Sequence, residues 1–168
     1  MKTVELTLPL TASDLRKELT KGTKVLFNGV VYTARDEAHK RIVACLEEGK
    51  DLPFDLKQAA IFYAGPAPAK KGQICGAIGP TTSARMDKYT PALLAAGVKV
   101  LIGKGEPSPE TEAAIRKYGA IYLAAIGGAS ALLTKCVTSC ELTAWPELGP
   151  EAVYKLEVKN FPCYVVIV

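Results

Sequence analysis

The chain of 168 residues has a single histidine, a single tryptophan and five cysteines, and each scarcity closes off a class of protein. A Ser-His or Cys-His hydrolase would have to use His39, which stands beside Lys40 and Arg41 on an amphipathic stretch with no nucleophile in view. The cysteines (Cys45, Cys75, Cys136, Cys140, Cys163) are odd in number and unrelated in spacing, which is no disulfide framework and suits a reducing compartment. Cys136 and Cys140 fall on a stretch that reads as helix, but two thiols without further Cys or His at ligand spacing make neither a zinc nor an iron-sulfur site, and they read as buried thiols. Charge of one sign is missing too. The 21 basic and 17 acidic residues leave a scattered +4, which indicates no nucleic-acid partner but leaves room for small anions. The longest uncharged run, Tyr118 to Thr134, spans 17 residues and is broken by Gly127-Gly128-Ala129-Ser130; it reads as buried strand, turn and helix, so no membrane segment is expected. That glycine turn is neither Gly-x-Gly-x-x-Gly nor a Walker loop. The first ten residues contain Glu5 and lack a basic region before an apolar stretch, so no secretory signal is read and a cytoplasmic location is expected.

What is present is a core. With 49% hydrophobic residues the chain can bury a sizeable interior, and its length predicts one domain over residues 1–168. Val4 to Leu8 alternates as an edge strand, Leu15 to Leu19 suggests a short helix, and Lys24 to Thr33 carries Asn28-Gly29, a two-residue hairpin signal. Ala38, Ile42, Cys45 and Leu46 then line one face of a helix that stops at Gly49. Gln58 to Tyr63, Gln73 to Ile78, Val98 to Ile102 and Ala120 to Ile126 read as buried strands. Helices over Asp87 to Ala96 and Pro109 to Tyr118 separate the last three; each is closed by a glycine, and Ser108 caps the second. Strands alternating with helices predict an α/β fold with a mostly parallel core sheet, to which the tail, Ala152 to Val168, returns as strands at the edge.

A local rule is broken twice. In Thr33-Ala34-Arg35-Asp36 the threonine can cap a helix and the aspartate close a capping box, so Arg35 falls in the first turn. A cation there opposes the helix dipole at a cost of about 0.3–1 kcal/mol. In Gly79-Pro80-Thr81-Thr82-Ser83-Ala84-Arg85, a turn follows a strand and Arg85 enters the next helix. An isolated arginine near a helix start is ordinarily a solvated side chain; two such placements, one among three hydroxyls, point to function. An anion reverses the balance, because free amides, hydroxyls and guanidinium groups then face the same negative charge. Lys104, between two glycines after another strand, adds a third cation at the strand ends where α/β sheets collect ligands. The set suits the two carboxylates of a small dicarboxylate.

The runs Asn28-Gly29, Thr33 to His39, Tyr63-Ala64-Gly65-Pro66, Gly79 to Asp87 and Gly103-Lys104-Gly105 resemble the β region of the iron-sulfur hydro-lyases, comprising class I fumarases and L(+)-tartrate dehydratases. The resemblance covers nearly the whole chain, and its most specific part is Gly-Pro-Thr-Thr-Ser-x-Arg-Met. It implies a swivelling β/β/α domain, with helices flanking the core sheet and an additional, partly antiparallel β layer. The domain acts with an α subunit, as a hetero-oligomer, and that α subunit holds a [4Fe-4S] cluster through three cysteines. The cysteines here do not match that pattern, so this chain alone is expected to lack the cluster and to be inactive. The family's carboxylate-binding arginines fall on Arg35 and Arg85, its catalytic threonine on Thr81 and its substrate lysine on Lys104. Asp36 and His39 are expected to orient Arg35, and Asp87 to orient Arg85. The implied reaction is reversible hydration of fumarate to malate, with tartrate dehydration as the enzyme alternative and a non-catalytic dicarboxylate sensor as the alternative of another class.

Overall fold

The computed structural model describes residues 2–11, 14, 19–126 and 130–168. The parallel part of the sheet arises from strands with apolar residues on both faces. In β3 (Ala60–Phe62), β4 (Val100–Gly103) and β5 (Ile121–Ala125) successive residues alternate between two hydrophobic clusters. Ala60, Phe62, Val100, Ile102, Ile121 and Leu123 face one interior; Ile61, Leu101 and Tyr122 face the layer under the helices. β1 (Thr3–Thr7) and β2 (Lys24–Thr33) complete the parallel series.

Helix α1 (Asp36–Glu47) follows β2, α2 (Thr90–Ala95) precedes β4, α3 (Pro109–Lys117) joins β4 to β5, and α4 (Ser130–Lys135) follows β5. Gly49, Gly97 and Gly119 stand in the left-handed region just after α1, α2 and α3, each bonded back two residues before the cap, as the sequence predicts. The Ser108 side chain accepts from the Thr111 amide and caps α3.

The order of the seven-stranded sheet is β1-β2-β3-β4-β5-β7-β6, where β6 is Val137–Ala144 and β7 is Val153–Ile167. β7 also pairs with β2, so β2, β3, β4, β5 and β7 close into a ring around the first cluster. The tail is therefore not an edge. Its 15 residues pair antiparallel with β2, β5 and β6, because their alternation fills both faces and leaves no free side. The antiparallel part belongs to this same sheet, not to a separate layer.

Four further expectations fail for physical reasons. Asn28-Gly29 does not turn: β2 runs straight through, and the residues make a register shift against β7. Gly29 at φ +121 lies where a Cβ would come within 2.9 Å of Leu8, so glycine serves close strand approach and a bulge. Gln73 to Ile78 is no strand; its backbone folds on itself, the Gln73 amide bonding to the Lys70 carbonyl and the Ala67 amide to the Ala77 carbonyl. The helix expected over Asp87 to Ala96 is shortened to α2, with Pro91 in its first turn, and a separate 3-10 turn (Ser83–Met86) precedes it. Cys140 lies on β6 rather than beside Cys136 on a helix. The expected Leu15 to Leu19 helix and the Gly127-Gly128-Ala129-Ser130 turn lie, except for Leu19 and Ser130, outside the described residues.

Candidate active site

Because β2, β3 and β4 run parallel, their carboxyl ends share one edge, and each delivers a segment there. From β2 comes Arg35. The Thr33 hydroxyl is used elsewhere, accepting from the Tyr154 amide at 3.1 Å, so the expected capping box does not form and Arg35 is itself the N-cap of α1. The Glu37 amide at this helix start donates to Glu151 Oε1 at 3.3 Å, so a carboxylate of the chain already occupies one of the amides expected to await a ligand. The Arg35 carbonyl accepts the His39 amide at 2.9 Å and contacts His39 Nδ1 at 2.8 Å. A carbonyl only accepts, so Nδ1 carries the hydrogen and Nε2 keeps its lone pair. His39 is fully buried, and desolvation holds its pKa down to about 4, against the pull of that carbonyl; the ring is neutral.

β3 delivers Tyr63 and Gly65. A side chain at Gly65 would run into the Pro150 carbonyl and within 2.9 Å of the Arg35 side chain, which locates that arginine over the β3 end. The end of β4 delivers Lys104. Between the two lies the Gly-Pro-Thr-Thr-Ser segment, inserted as a short piece of parallel ladder. The Thr81 amide donates to the Tyr63 carbonyl at 2.6 Å, the Lys104 amide to the Thr81 carbonyl at 3.2 Å, and the Ser83 amide to the Lys104 carbonyl at 2.9 Å. Thr81 is thus pinned by its backbone on both sides.

Arg85 lies in the 3-10 turn, not at a helix start, and its Nη2 donates to Asp36 Oδ2 at 2.9 Å. Asp36 therefore holds Arg85 rather than Arg35, while His39 does hold the Arg35 backbone. The pair is half exposed on the arginine side, so it stabilises by no more than about 1 kcal/mol and leaves the guanidinium available. Asp87 does not touch Arg85; its Oδ2 accepts from the Ser108 amide at 3.0 Å. Among the described residues, neither Arg35 nor Lys104 has an acidic partner.

The buried side-chain polar atoms without a hydrogen-bond partner among the described residues are Arg35 Nε, His39 Nε2, Ser83 Oγ and Asp87 Oδ1. Ser83 and the Tyr122 hydroxyl both abut Gly103; that hydroxyl donates to the Gly105 carbonyl at 2.9 Å, and its oxygen is left able to accept from Ser83. Buried polar groups are nearly always satisfied, and of these exceptions Arg35 Nε and Ser83 Oγ are the two that can donate to an anion, whereas His39 Nε2 and Asp87 Oδ1 are acceptors. Sequence reasoning gave Tyr63 and Glu151 no role and took Ser83 only as one of the hydroxyls beside Arg85. Tyr63 carries the signal of a tyrosine ending a buried strand before Ala64-Gly65-Pro66, whereas Glu151 is brought to α1 only by the return of the chain after β6.

The described residues gather no group of three or more His, Cys, Asp or Glu side chains suited to a metal ion. Cys75 and Cys140 lie side by side, but burial raises Cys75 to about 12 and Cys163 higher still, which keeps both protonated and poor as ligands. As placed, they do not fit an iron-sulfur cluster.

The family model for the Fumarase C-terminus matches residues 1–168. Fumarate hydratase 2 of Leishmania major is 38% identical over 98% of this chain, which spans 29% of that protein. The aerobic class I fumarate hydratase of Escherichia coli is 38% identical over 86% of this chain and 27% of its own length. The L(+)-tartrate dehydratase subunit beta of Escherichia coli is 35% identical over 93% of this chain and 78% of its own length. A match over residues 1–168, with relatives among class I fumarate hydratases and L(+)-tartrate dehydratase beta subunits, places the chain in the Fumarase C-terminus family.

Proposed function

We propose that the chain is the β subunit of a two-chain hydro-lyase that adds water reversibly to fumarate to give malate, acting as one swivelling unit against a separate α subunit. The observation that carries this reading is the shared edge where the unpartnered Arg35 Nε and the Ser83 hydroxyl coincide with Arg85 and Lys104. Arg35 and Arg85 bind the substrate carboxylates with forked geometry, and Lys104 adds a point charge. Thr81, fixed by its backbone bonds, exchanges the proton on the carbon adjacent to the one that carries the hydroxyl. A threonine hydroxyl is a weak base, and the surrounding cations lower the cost of its deprotonation. The [4Fe-4S] cluster implied by the resemblance belongs to the partner, since the thiols of this chain do not form its ligand set.

A second reading has its own support. The chain spans 78% of a tartrate dehydratase beta subunit but under a third of the fumarate hydratases, so L(+)-tartrate is the alternative substrate. Co-expression with candidate α subunits and anaerobic assay on malate, fumarate and L(+)-tartrate separates the two. Activity only in the complex supports the β-subunit reading. Dicarboxylate binding by the chain alone, with no turnover in any complex, favours a sensor and removes it.

A further inference from the structure

Tyr63 is 2% exposed and touches every segment that reaches the site. Its carbonyl accepts the Thr81 amide. Its hydroxyl lies 3.1 Å from Thr90 Oγ1, which itself donates to the Met86 carbonyl at 3.0 Å, so the phenol donates to Thr90 and the pair grips the residue after Arg85. The edge of its ring packs on His39 at 5.3 Å between centroids, and His39 holds the Arg35 carbonyl. Its Cδ2 lies 2.8 Å from where a Cβ at Gly103 would stand, directly before Lys104. Three stretches far apart in sequence are thus indexed to one buried residue.

We infer that Tyr63 is a positioning residue for the anion site: through Thr90 and Met86 it sets the 3-10 turn that presents Arg85, and through its carbonyl and ring it fixes Thr81, Arg35 and Lys104 relative to that turn. The hydroxyl is the separable part. Tyr63→Phe keeps the ring, the packing on His39 and Gly103, and the backbone bond to Thr81; it removes only the grip on Thr90. Thr90→Val removes the same link from the other end, including the bond to Met86. The side chain touches no substrate in this arrangement, so its effect passes through Arg85.

The kinetic arm of the test rests on the hydro-lyase reading. In the reconstituted complex, Tyr63→Phe is expected to raise KM for fumarate about fivefold, the worth of one ordinary hydrogen bond, with kcat changed less than twofold. Thr90→Val does the same, the double variant is no worse than the poorer single one, and Tyr63→Phe has no further effect on KM in an Arg85→Ala background. A merely structural role lowers the melting temperature without this split and adds to Arg85→Ala; either result overturns the inference. The second arm needs no turnover. Amide hydrogen exchange in the full chain is expected to quicken in Tyr63→Phe at Asp87 and Tyr89, which bond within the 3-10 turn and to Met86, and not in β1. If wild-type complexes turn over neither fumarate nor tartrate, the functional reading falls and exchange decides this one: unchanged protection at Asp87 and Tyr89 overturns it, and loss of protection there sustains it.

Discussion

The two halves of the ring treat their polar groups differently. On the antiparallel side, where β2 meets β7, Asn28 donates from Nδ2 to Glu5 Oε1 at 3.1 Å and accepts at Oδ1 from the Asn160 amide at 2.9 Å; the Thr33 hydroxyl accepts from Tyr154. At the carboxyl ends of the parallel strands, Arg35, His39, Ser83 and Asp87 each keep a buried polar atom unpartnered among the described residues. The Asn28 bonds are exposed, but Thr33 is as buried as His39, so burial alone does not make the difference. A buried group left unmade costs about 1–3 kcal/mol, and a fold able to satisfy Asn28 twice could in principle satisfy these atoms as well. Of the unpartnered atoms only Arg35 Nε and Ser83 Oγ can donate to a negatively charged guest, and under the proposed function these are the ones kept for it; His39 Nε2 and Asp87 Oδ1 are acceptors and have no such use.

That contrast breaks if substitutions at the strand ends behave like substitutions elsewhere. If the chain acts as proposed, the largest expected effect is from Thr81→Ala in the complex: a fall in kcat of about a hundredfold or more, with KM little changed, because the proposed reaction uses the hydroxyl when the proton moves. Steady-state kinetics with unaltered turnover would remove Thr81 from the reaction. Next come Arg35→Ala and Arg85→Ala, each expected to lower kcat/KM by roughly tenfold to a hundredfold, the worth of a charged hydrogen bond, while thermal melting shows the fold retained. Of the two, Arg85→Ala also frees Asp36, leaving a carboxylate at the site that repels the substrate. Arg85→Ala is therefore the more damaging in KM, and the reverse ranking would show that the Asp36 contact is incidental.

How much of this was legible in advance depends on the range of the interactions. The helix ends at Gly49, Gly97 and Gly119, the Ser108 cap and the strands around Ile61, Leu101 and Tyr122 follow from neighbours a few residues apart, and their local chemistry is decisive. The convergence of Arg35, Thr81 to Arg85 and Lys104 was legible at one remove, because parallel strands must end on one edge. The failures share the opposite property. Thr33 reads as a cap until Tyr154, 121 residues away, claims its hydroxyl. Asn28-Gly29 reads as a turn until β1 and β7 flank it on both sides. Asp36 stands beside Arg35 in sequence but bonds to Arg85, a pairing visible only once the two loops are stacked.

The neutrality of His39 sharpens the comparison through pH. Its folded pKa of about 4 lies below the unfolded value of 6.5, so between these limits the unfolded chain binds the extra proton. Stability is therefore fully present above pH 6.5 and declines as pH falls toward 4, by about 3 kcal/mol over the window. Chemical denaturation of the wild type against His39→Gln isolates this slope, since the other titrating groups cancel in the difference. An identical pH dependence for both proteins would show that the ring is solvated and does not anchor Arg35 while neutral.

The smallest effect belongs to the antiparallel side. Asn28→Ala removes two hydrogen bonds, yet both partners, the Glu5 carboxylate and the Asn160 amide, stand at exposed positions where water can replace the lost contact. The expected loss is about 1 kcal/mol in denaturant unfolding, with no change in kcat or KM of the complex. Because Gly29 and not Asn28 provides the close approach to Leu8, the bulge survives the substitution and the β2–β7 register holds. If Asn28→Ala instead altered turnover as strongly as Arg35→Ala, the ring would be acting as one coupled body, and the separation between a satisfied half and a reserved half would not hold.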